Sequence, residues 1–325
     1  MRGKKLKESL RERIKRLFQR KKKKAISADS VRFSYDEREI LKDITLNIPE
    51  GSLTAIIGKS GCGKSTFLKL AAGIISKKYY GTISILGRAK ELRKDKIGFV
   101  PQENAFIPDL SILDNIKIIG LNFGLDEKKA IKNAQVLIRL LELDEDLNRK
   151  PTLLSGGQKV RLNIILSLLH DPRILILDEP FVGLDFFNRR LLWHFLNSMR
   201  SKGKSVILTS HLLSEVEEHV DRLIILKEGK IFFNGKMESL KSKLNMQYIF
   251  EVRFTHLSKE NYDNINKYCT YRDLKILDRY EKNIMFALNS QSTKETLQKL
   301  FSRLDLKYEI ISYREPNLDE VFLKT

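Results

Sequence analysis

Residues 58–66, with the letters GKSGCGKST, have the composition and spacing needed to bind a phosphate group. They fit the pattern G-x-x-x-x-G-K-[ST], in which glycines let backbone N–H groups turn inward around phosphate oxygens. The letters LTAII before them predict a strand, and FLKLAAG after them predict a helix whose N-terminus adds a positive dipole end. The candidate phosphate-binding residues are Gly58, Ser60, Gly61, Cys62, Gly63, Lys64, Ser65 and Thr66.

Two side chains of this loop have particular tasks. Lys64 supplies a positive charge to the β- and γ-phosphates of a nucleotide, and the Ser65 hydroxyl can ligate Mg²⁺. The alternative, a Gly-rich turn with an accidental lysine, does not explain the strand before the loop and the helix after it. The loop therefore predicts binding of a nucleoside triphosphate with magnesium.

A second candidate is the apolar run ILIL at residues 174–177, which is followed by Asp178 and Glu179. A buried strand that ends in an acid brings the carboxylate to the carboxyl edge of the sheet, where the phosphate-binding loop also lies. Asp178 is expected to hold Mg²⁺ through its water shell, and Glu179 to orient or deprotonate the attacking water. An acidic pair at a strand end is common in a solvated turn, so the metal interpretation depends on the loop.

The letters LSGGQ at residues 154–158 resemble the signature motif of ATP-binding cassette (ABC) ATPases. The motif lies shortly before the acidic strand, where that family has it, and its N–H groups open a helix that can also bind an anion. In the family this loop closes over the γ-phosphate held by the other subunit. The resemblance therefore implies two cassettes packed head to tail around two ATP molecules. The residues concerned are Ser155, Gly156, Gly157 and Gln158.

Three further residues match the family in order and spacing. Gln102, after KIGFVP, resembles the glutamine that contacts Mg²⁺ or water and senses the transmembrane partner. Asp185 resembles the aspartate that helps align the opposite site, although Phe186 and Phe187 follow it where related cassettes often have proline. His211, at the end of SVILTSH, resembles the switch histidine that contacts the γ-phosphate.

An adenine-stacking aromatic is also implied by the resemblance. Tyr35 occupies its expected position, Phe33 is the other candidate, and Tyr35 could equally be a surface strand residue. The resemblance covers about residues 27–236, nearly all of one cassette. The letters EPNLDEVFL at residues 315–323 are similar to the ends of cassettes from drug-, polysaccharide- and lipid-exporter systems; the alternative is a terminal helix capped near Asn317.

The elements that must position these residues alternate between short strands and helices, which predicts an α/β fold with a mostly parallel sheet. With the resemblance, residues 27–240 are expected to form a P-loop NTPase cassette with a helical subdomain, including helical residues 111–145. Residues 247–313 read as β-α-β-β-α-β, the ferredoxin-like order, so residues 241–325 are expected to form a small α+β accessory domain. Residues 1–26 are interpreted as a basic amphipathic arm.

Charge is concentrated in that arm. The 325 residues carry 60 Lys and Arg against 41 Asp and Glu, a net charge of +19, of which +11 lies in residues 1–24. Apolar residues recur there about every fourth position, and an all-lysine run at residues 21–24, expected to be solvated, follows. The arm has three interpretations: a solvated tail, an amphipathic helix on anionic lipid or on a membrane partner, or a nucleic-acid contact.

The chain shows no run of about 20 apolar residues, so separate transmembrane subunits are expected to carry the cargo. The two cysteines and the absence of a signal-peptide core favour the cytoplasmic side of the cell membrane. We expect an ATP-hydrolysing subunit of an exporter, acting as a homodimer or heterodimer of cassettes. The competing class is an ABC ATPase acting on nucleic acid or ribosomes. It is not favoured, because those relatives carry two cassettes, long coiled coils or zinc cysteines.

Overall fold

The computed structural model describes residues 23–89, 95–244, 246–272 and 274–323. Most of the expected arm, residues 1–22, lies outside the described residues. The described chain forms two compact units. The first runs to His211 and resumes over His219–Asn234, and the second combines Leu212–Glu218 with the residues from Gly235 onward.

The first unit contains two sheets in the described residues. One has the strand order β2-β1-β4-β5 and the other the order β10-β9-β3-β8-β7-β6. The strands are β1 (Lys24–Tyr35), β2 (Arg38–Pro49), β3 (Leu53–Ile57), β4 (Tyr80–Ile85), β5 (Arg88–Ala89), β6 (Ile97–Val100), β7 (Ile174–Leu177), β8 (Ser205–Thr209), β9 (Arg222–Lys227) and β10 (Lys230–Gly235).

The larger sheet confirms the mostly parallel arrangement. Strands β6, β7, β8, β3 and β9 pair in parallel. Strands β3, β7 and β8 are buried along their whole length, which explains why their sequences are apolar runs rather than alternating patterns. Their carboxyl ends lie at one edge of the sheet, and that edge positions the loops described below.

The helices of the cassette follow the predicted pattern with shifted ends. They are α1 (Lys64–Ala71), α2 (Ile112–Asn122), α3 (Glu127–Leu140), α4 (Gly156–Leu168), α5 (Phe186–Ser201) and α6 (Leu213–His219), with a 3₁₀ turn at Pro151–Leu153. Helices α2, α3 and α4 pack against one another as the helical subdomain.

Residues 111–145, which have a helical period in the sequence, form two helices in the structure. Gly124 has a φ of +76°, a conformation that ends helix α2, and its N–H donates to the Leu121 carbonyl. The Asp126 side chain then accepts from the N–H of Lys129 and starts helix α3. A continuous helical pattern in the sequence therefore covers two helices joined by a turn.

The second unit has the predicted β-α-β-β-α-β order and an antiparallel sheet of order β12-β13-β11-β14. Phe250, Phe254, Phe286 and Phe301 are fully buried in its core. Its elements are α7 (Met237–Lys243), β11 (Tyr248–Phe254), α8 (Lys259–Tyr271), β12 (Lys275–Tyr280), β13 (Asn283–Leu288), α9 (Gln291–Arg303), β14 (Tyr308–Arg314) and α10 (Leu318–Leu323).

The first strand starts earlier than the sequence pattern indicated. Strand β1 begins at Lys24, inside the lysine run that was expected to be solvated and flexible, and Ala25 and Ile26 are fully buried. Their apolar side chains pack in the core between the two sheets of the first unit. None of the helices in the described residues has the length and apolar character needed to cross a membrane.

Candidate active site

The phosphate-binding loop connects strand β3 to helix α1. Two of its glycines are required by close packing. A Cβ at Gly58 would collide with the carbonyl oxygen of Leu226, and a Cβ at Gly63, whose φ is +106°, would lie 2.7 Å from the Leu41 side chain. Gly63 provides no side-chain cap, so the first N–H groups of helix α1 are left for an anion.

The Lys64 side chain folds back over the phosphate-binding loop. Its Nζ donates to the Gly58 carbonyl at 2.8 Å and to the Lys59 carbonyl at 3.3 Å, and the residue is only 6% exposed. The ammonium is therefore held at a fixed position over the loop. This is the position that phosphate recognition by the loop requires.

The Asp178 carboxylate joins three elements at the carboxyl edge of the sheet. Its Oδ1 accepts from the Ser65 hydroxyl at 2.9 Å and from the Thr209 hydroxyl at 2.8 Å. The side chains of Asp178 and Thr209 are buried. A buried carboxylate beside a serine hydroxyl is a set of hard oxygen donors, and it fits Mg²⁺.

Thr209 was not predicted as a site residue. Its hydroxyl also accepts from the backbone N–H of Glu179 at 2.8 Å, so it orients both acidic residues. The sequence feature that could have identified Thr209 is a hydroxyl residue at the end of the apolar strand SVILT, which ends at the same sheet edge as the strand before Asp178.

Glu179 lies in a strained and desolvated position. Its φ is +52°, which is uncommon for a residue with a side chain, and it is 8% exposed. Burial raises the pKa of its carboxyl, His211 and Lys64 lower it, and Asp178 raises it further. Its Oε1 is buried and accepts no hydrogen bond from the described residues, although the His211 Nε2 lies 2.9 Å away, outside hydrogen-bond geometry. This buried oxygen therefore keeps an acceptor position that no described residue fills by a hydrogen bond.

His211 and Gln102 lie at the same edge of the sheet. His211 follows strand β8, and its side chain is 56% exposed. Gln102 is exposed and follows strand β6, which pairs with strand β7, and the Asp178 N–H donates to the Val100 carbonyl at 2.9 Å. The strand pairing places Gln102 at the same sheet edge as the two acids, and its role toward Mg²⁺ stays a prediction.

Residues 154–158 start helix α4. Ser155 caps the helix, with its hydroxyl accepting from the Gln158 N–H and the Gln158 side chain accepting from the Ser155 N–H. Among the described residues, no hydrogen bond joins residues 154–158 to residues 58–66 or to Asp178. Within one chain, therefore, the N-terminus of helix α4 and the phosphate-binding loop of residues 58–66 are not joined by hydrogen bonds among the described residues.

Asp185 lies beside helix α4, which we call the signature helix because it begins within residues 154–158. Its carboxylate caps helix α5 by accepting from the Asn188 N–H and side-chain amide, which lowers the pKa of Asp185. The Asn188 amide oxygen accepts from Arg161 of helix α4 at 2.8 Å, and a Cβ at Gly157 would lie 2.9 Å from Asn188. Asn188, which was not predicted, connects Asp185 to the signature helix; nothing in its sequence context distinguished it.

The two candidate aromatics differ in exposure. Phe33 is buried in the core, whereas Tyr35 at the end of strand β1 is 39% exposed. The rings pack edge to face with centroids 4.8 Å apart, and the Lys77 ammonium lies 5.8 Å from the Tyr35 centroid. Of the two rings only that of Tyr35 is exposed, which favours Tyr35 over the buried Phe33 as the stacking residue, and the stacking itself stays a prediction.

Comparison with known proteins gives one consistent result. Residues 41–182 match the ABC transporter family model. The lantibiotic transport ATP-binding protein of Streptococcus pyogenes is 35% identical over 234 residues, covering 70% of this chain and 99% of that protein. The linearmycin resistance ATP-binding protein of Bacillus subtilis is 28% identical over 302 residues, covering 92% and 97% respectively.

Solved structures agree with the sequence relatives. A dimeric bacterial ABC transporter cassette has a TM-score of 0.60 at 30% identity, covering 65% of this chain and 98% of that cassette. A post-hydrolysis state of the same cassette, bound to ADP and phosphate, has a TM-score of 0.56 at 28% identity, with coverage of 65% and 98%.

Proposed function

The chain belongs to the ABC transporter family as an ATP-binding subunit with ATPase activity, and we propose that two copies hydrolyse ATP at sites shared between them. The observation that carries this proposal is one hydrogen-bonded cluster of Ser65, Asp178, Thr209 and Glu179, beside the phosphate loop that holds Lys64. One sheet edge thus brings together the proposed phosphate-binding Lys64, the proposed Mg²⁺ ligands Ser65 and Asp178, and the proposed general base Glu179.

The residues divide the reaction between them. Lys64 and the N-terminus of helix α1 hold the phosphates, while Tyr35 stacks on the adenine. Ser65 and Asp178 would hold Mg²⁺, with Gln102 contributing from the loop after strand β6. When bound, the ion neutralises charge on the transferred phosphoryl group. Glu179 orients the attacking water and takes its proton, and His211 contacts the γ-phosphate. Glu179 suits this role because its raised pKa brings it closer to the operating pH.

The site is completed by a second copy of the chain. Among the described residues of one chain, residues 154–158 and Asp185 make no hydrogen bond to the phosphate loop. We propose that the N-terminus of helix α4 instead receives the γ-phosphate bound by a second copy. A full set of catalytic residues in one cassette supports two identical sites in a symmetric dimer. ATP then favours the closed dimer, and hydrolysis removes the contact that holds it shut.

Transport requires subunits that cross the membrane. We propose that this chain acts at the cytoplasmic side of the cell membrane with separate transmembrane subunits, and that the direction is export. The name of a further relative, the Nod factor export ATP-binding protein of Bradyrhizobium diazoefficiens, supports this direction. Residues 241–325 are proposed as an accessory domain attached to the cassette of residues 27–240.

Co-purification separates this proposal from an ATPase acting on ribosomes or nucleic acid. An affinity-tagged chain expressed in its native host is expected to be recovered from detergent-solubilised membranes with an integral membrane protein. The same chain should not co-sediment with ribosomes. Recovery with ribosomes and without a membrane subunit would contradict the transport role.

The basic arm is proposed to bind an anionic membrane surface. Polybasic segments gain about 1 kcal/mol per Lys or Arg near such a surface, and residues 1–24 carry a net +11. Because Ala25 and Ile26 are buried, a clean deletion ends at residue 22. We expect the deletion to leave ATPase activity unchanged and to weaken sedimentation with anionic liposomes at low salt.

Two controls accompany the deletion. Neutral liposomes should bind neither protein, and high salt should weaken binding of the full chain, because screening shortens the range of surface charge. Equal sedimentation of the full and shortened chains with anionic liposomes would rule out the lipid role of the arm.

A further inference from the structure

The helix that follows His211 belongs to the second compact unit for most of its length. Helix α6 (Leu213–His219) begins one residue beyond Leu212, and Leu212–Glu218 group with the residues from Gly235 onward. A helix of seven residues is too short to be stable alone, so its position is determined by tertiary contacts. Because His211 is separated from α6 only by Leu212, contacts that fix the position of α6 also restrict the backbone of His211.

Glu217 makes the polar contacts of α6 with the C-terminal segment. Its Oε2 accepts from the backbone N–H of Leu318 at 2.7 Å, at the first residue of helix α10. Its Oε1 lies 3.2 Å from the Lys241 ammonium, which also lies 3.5 Å from Glu315. One carboxylate on α6 is thus joined to the segment EPNL by a direct hydrogen bond and by a shared lysine.

The C-terminal segment is itself held in one conformation. The Asn317 side chain accepts from the Glu320 N–H at 3.0 Å, and the Glu320 carboxylate accepts from the Asn317 N–H at 2.9 Å. Arg314 of strand β14 also pairs with Glu320, which is only 6% exposed. This reciprocal capping makes the Leu318 N–H a preorganised donor for Glu217.

The last residue of α6, His219, groups with the first unit. Within that unit the His219 ring stacks on Trp193 at 4.5 Å, and Trp193 stacks on Phe181 at 4.5 Å. Within the second unit, α6 is held by Glu217, two residues before His219.

We propose that Glu217 is a positioning residue through which the C-terminal segment sets the approach of His211 to the γ-phosphate. The inference rests on the proposed function, because it needs His211 to contact that phosphate. It assigns a role to the segment 315–323: the segment holds α6 in the orientation needed for hydrolysis. Loss of the Leu318–Glu217 bond should therefore slow turnover without weakening nucleotide binding, since residues 58–66 and Tyr35 are not involved.

The test compares three variants of the full chain. Glu217→Ala should lower kcat about fivefold, with KM for ATP and affinity for ADP within about twofold of the native values. Glu217→Gln keeps an oxygen that accepts from the Leu318 N–H and should recover part of that loss. Glu218→Ala removes the same charge from the same helix at an exposed position and should behave as the native chain.

A double-mutant cycle with His211→Ala shows whether Glu217 acts through His211. We expect Glu217→Ala to cause no further loss of kcat in that background. Additive losses, or a fall in ADP affinity equal to the fall in kcat, would overturn the inference while leaving the proposed function in place. Full turnover by His211→Ala would overturn it by removing its premise, and would count against the proposed function as well.

A milder variant covers the case in which Glu217→Ala fails to fold. Lys241→Met keeps the side-chain stem and removes the charge shared by Glu217 and Glu315. It should lower kcat in the same direction, about twofold, again only when His211 is present. A native kcat for Lys241→Met together with an additive or unfolded Glu217→Ala would overturn the role of the segment.

Discussion

Replacing Glu179 with Gln is expected to lower the rate of ATP hydrolysis by about a hundredfold or more while ATP binding persists. Glutamine has nearly the same shape but accepts no proton, so water loses its base. The carboxylate oxygen facing His211 is buried and free of hydrogen bonds from the described residues, so the exchange breaks no internal hydrogen bond at that atom. Phosphate release and binding of a fluorescent ATP analogue measure the two effects separately.

The pH dependence of turnover gives a second readout of the same residue. Burial raises the pKa of Glu179, so the carboxylate protonates at a higher pH than an exposed glutamate. Turnover of the native chain should therefore fall as the pH drops through this raised pKa, because the protonated acid is no longer a base. The residual turnover of Glu179→Gln should lack that decline.

An exposed glutamate supplies the control for this substitution. Glu228, in the turn between strands β9 and β10, is exposed, and Glu228→Gln should keep native turnover. A Glu179→Gln chain that hydrolyses ATP within about twofold of the native rate would show that another group is the base.

Replacing Lys64 with Ala is expected to weaken ATP binding about 10- to 100-fold, the loss of one to two charge-assisted hydrogen bonds. The ammonium is buried and held over the loop by the Gly58 and Lys59 carbonyls, so no neighbouring side chain replaces it. Hydrolysis should be lost with binding, because the γ-phosphate is no longer positioned. Titration with the nucleotide analogue measures the affinity.

Lys59→Ala is the matched control, because it removes the same charge from the same loop at an exposed position. It should retain binding, since only the backbone carbonyl of Lys59 takes part in the loop. Equal losses in the two variants would indicate that general charge, rather than the held ammonium, attracts the nucleotide.

Local patterns predicted the parts of the fold that depend on neighbouring residues. The strand, loop and helix around residues 58–66 follow from apolar runs interrupted by glycines, and the helix start at residues 154–158 follows from the motif there. The helical period of residues 111–145 continues on both sides of Gly124 and does not locate the turn between the two helices, which the positive φ of that glycine shows.

Contacts distant in sequence could not be predicted. Thr209 and Asn188 gain their roles from strands and helices brought together by the sheet. Phe33 and Tyr35 are two residues apart on one strand, so alternation alone gives them the same face. Their difference in burial comes from Tyr35 lying at the end of the strand. The contact between Glu217 and Leu318 spans 101 residues and has no local signal.

Mixing two inactive variants tests the shared site most directly. The Lys64→Ala variant has a phosphate loop that no longer binds ATP properly and an intact signature helix. The Ser155→Arg variant has a blocked signature helix and an intact phosphate loop. A mixed dimer should contain one complete site. ATP hydrolysis by an equal mixture should therefore reach about a quarter of the native rate, since half of randomly formed dimers are mixed and each has one of two sites. A mixture no more active than the two variants alone would contradict a site built from two copies of this chain.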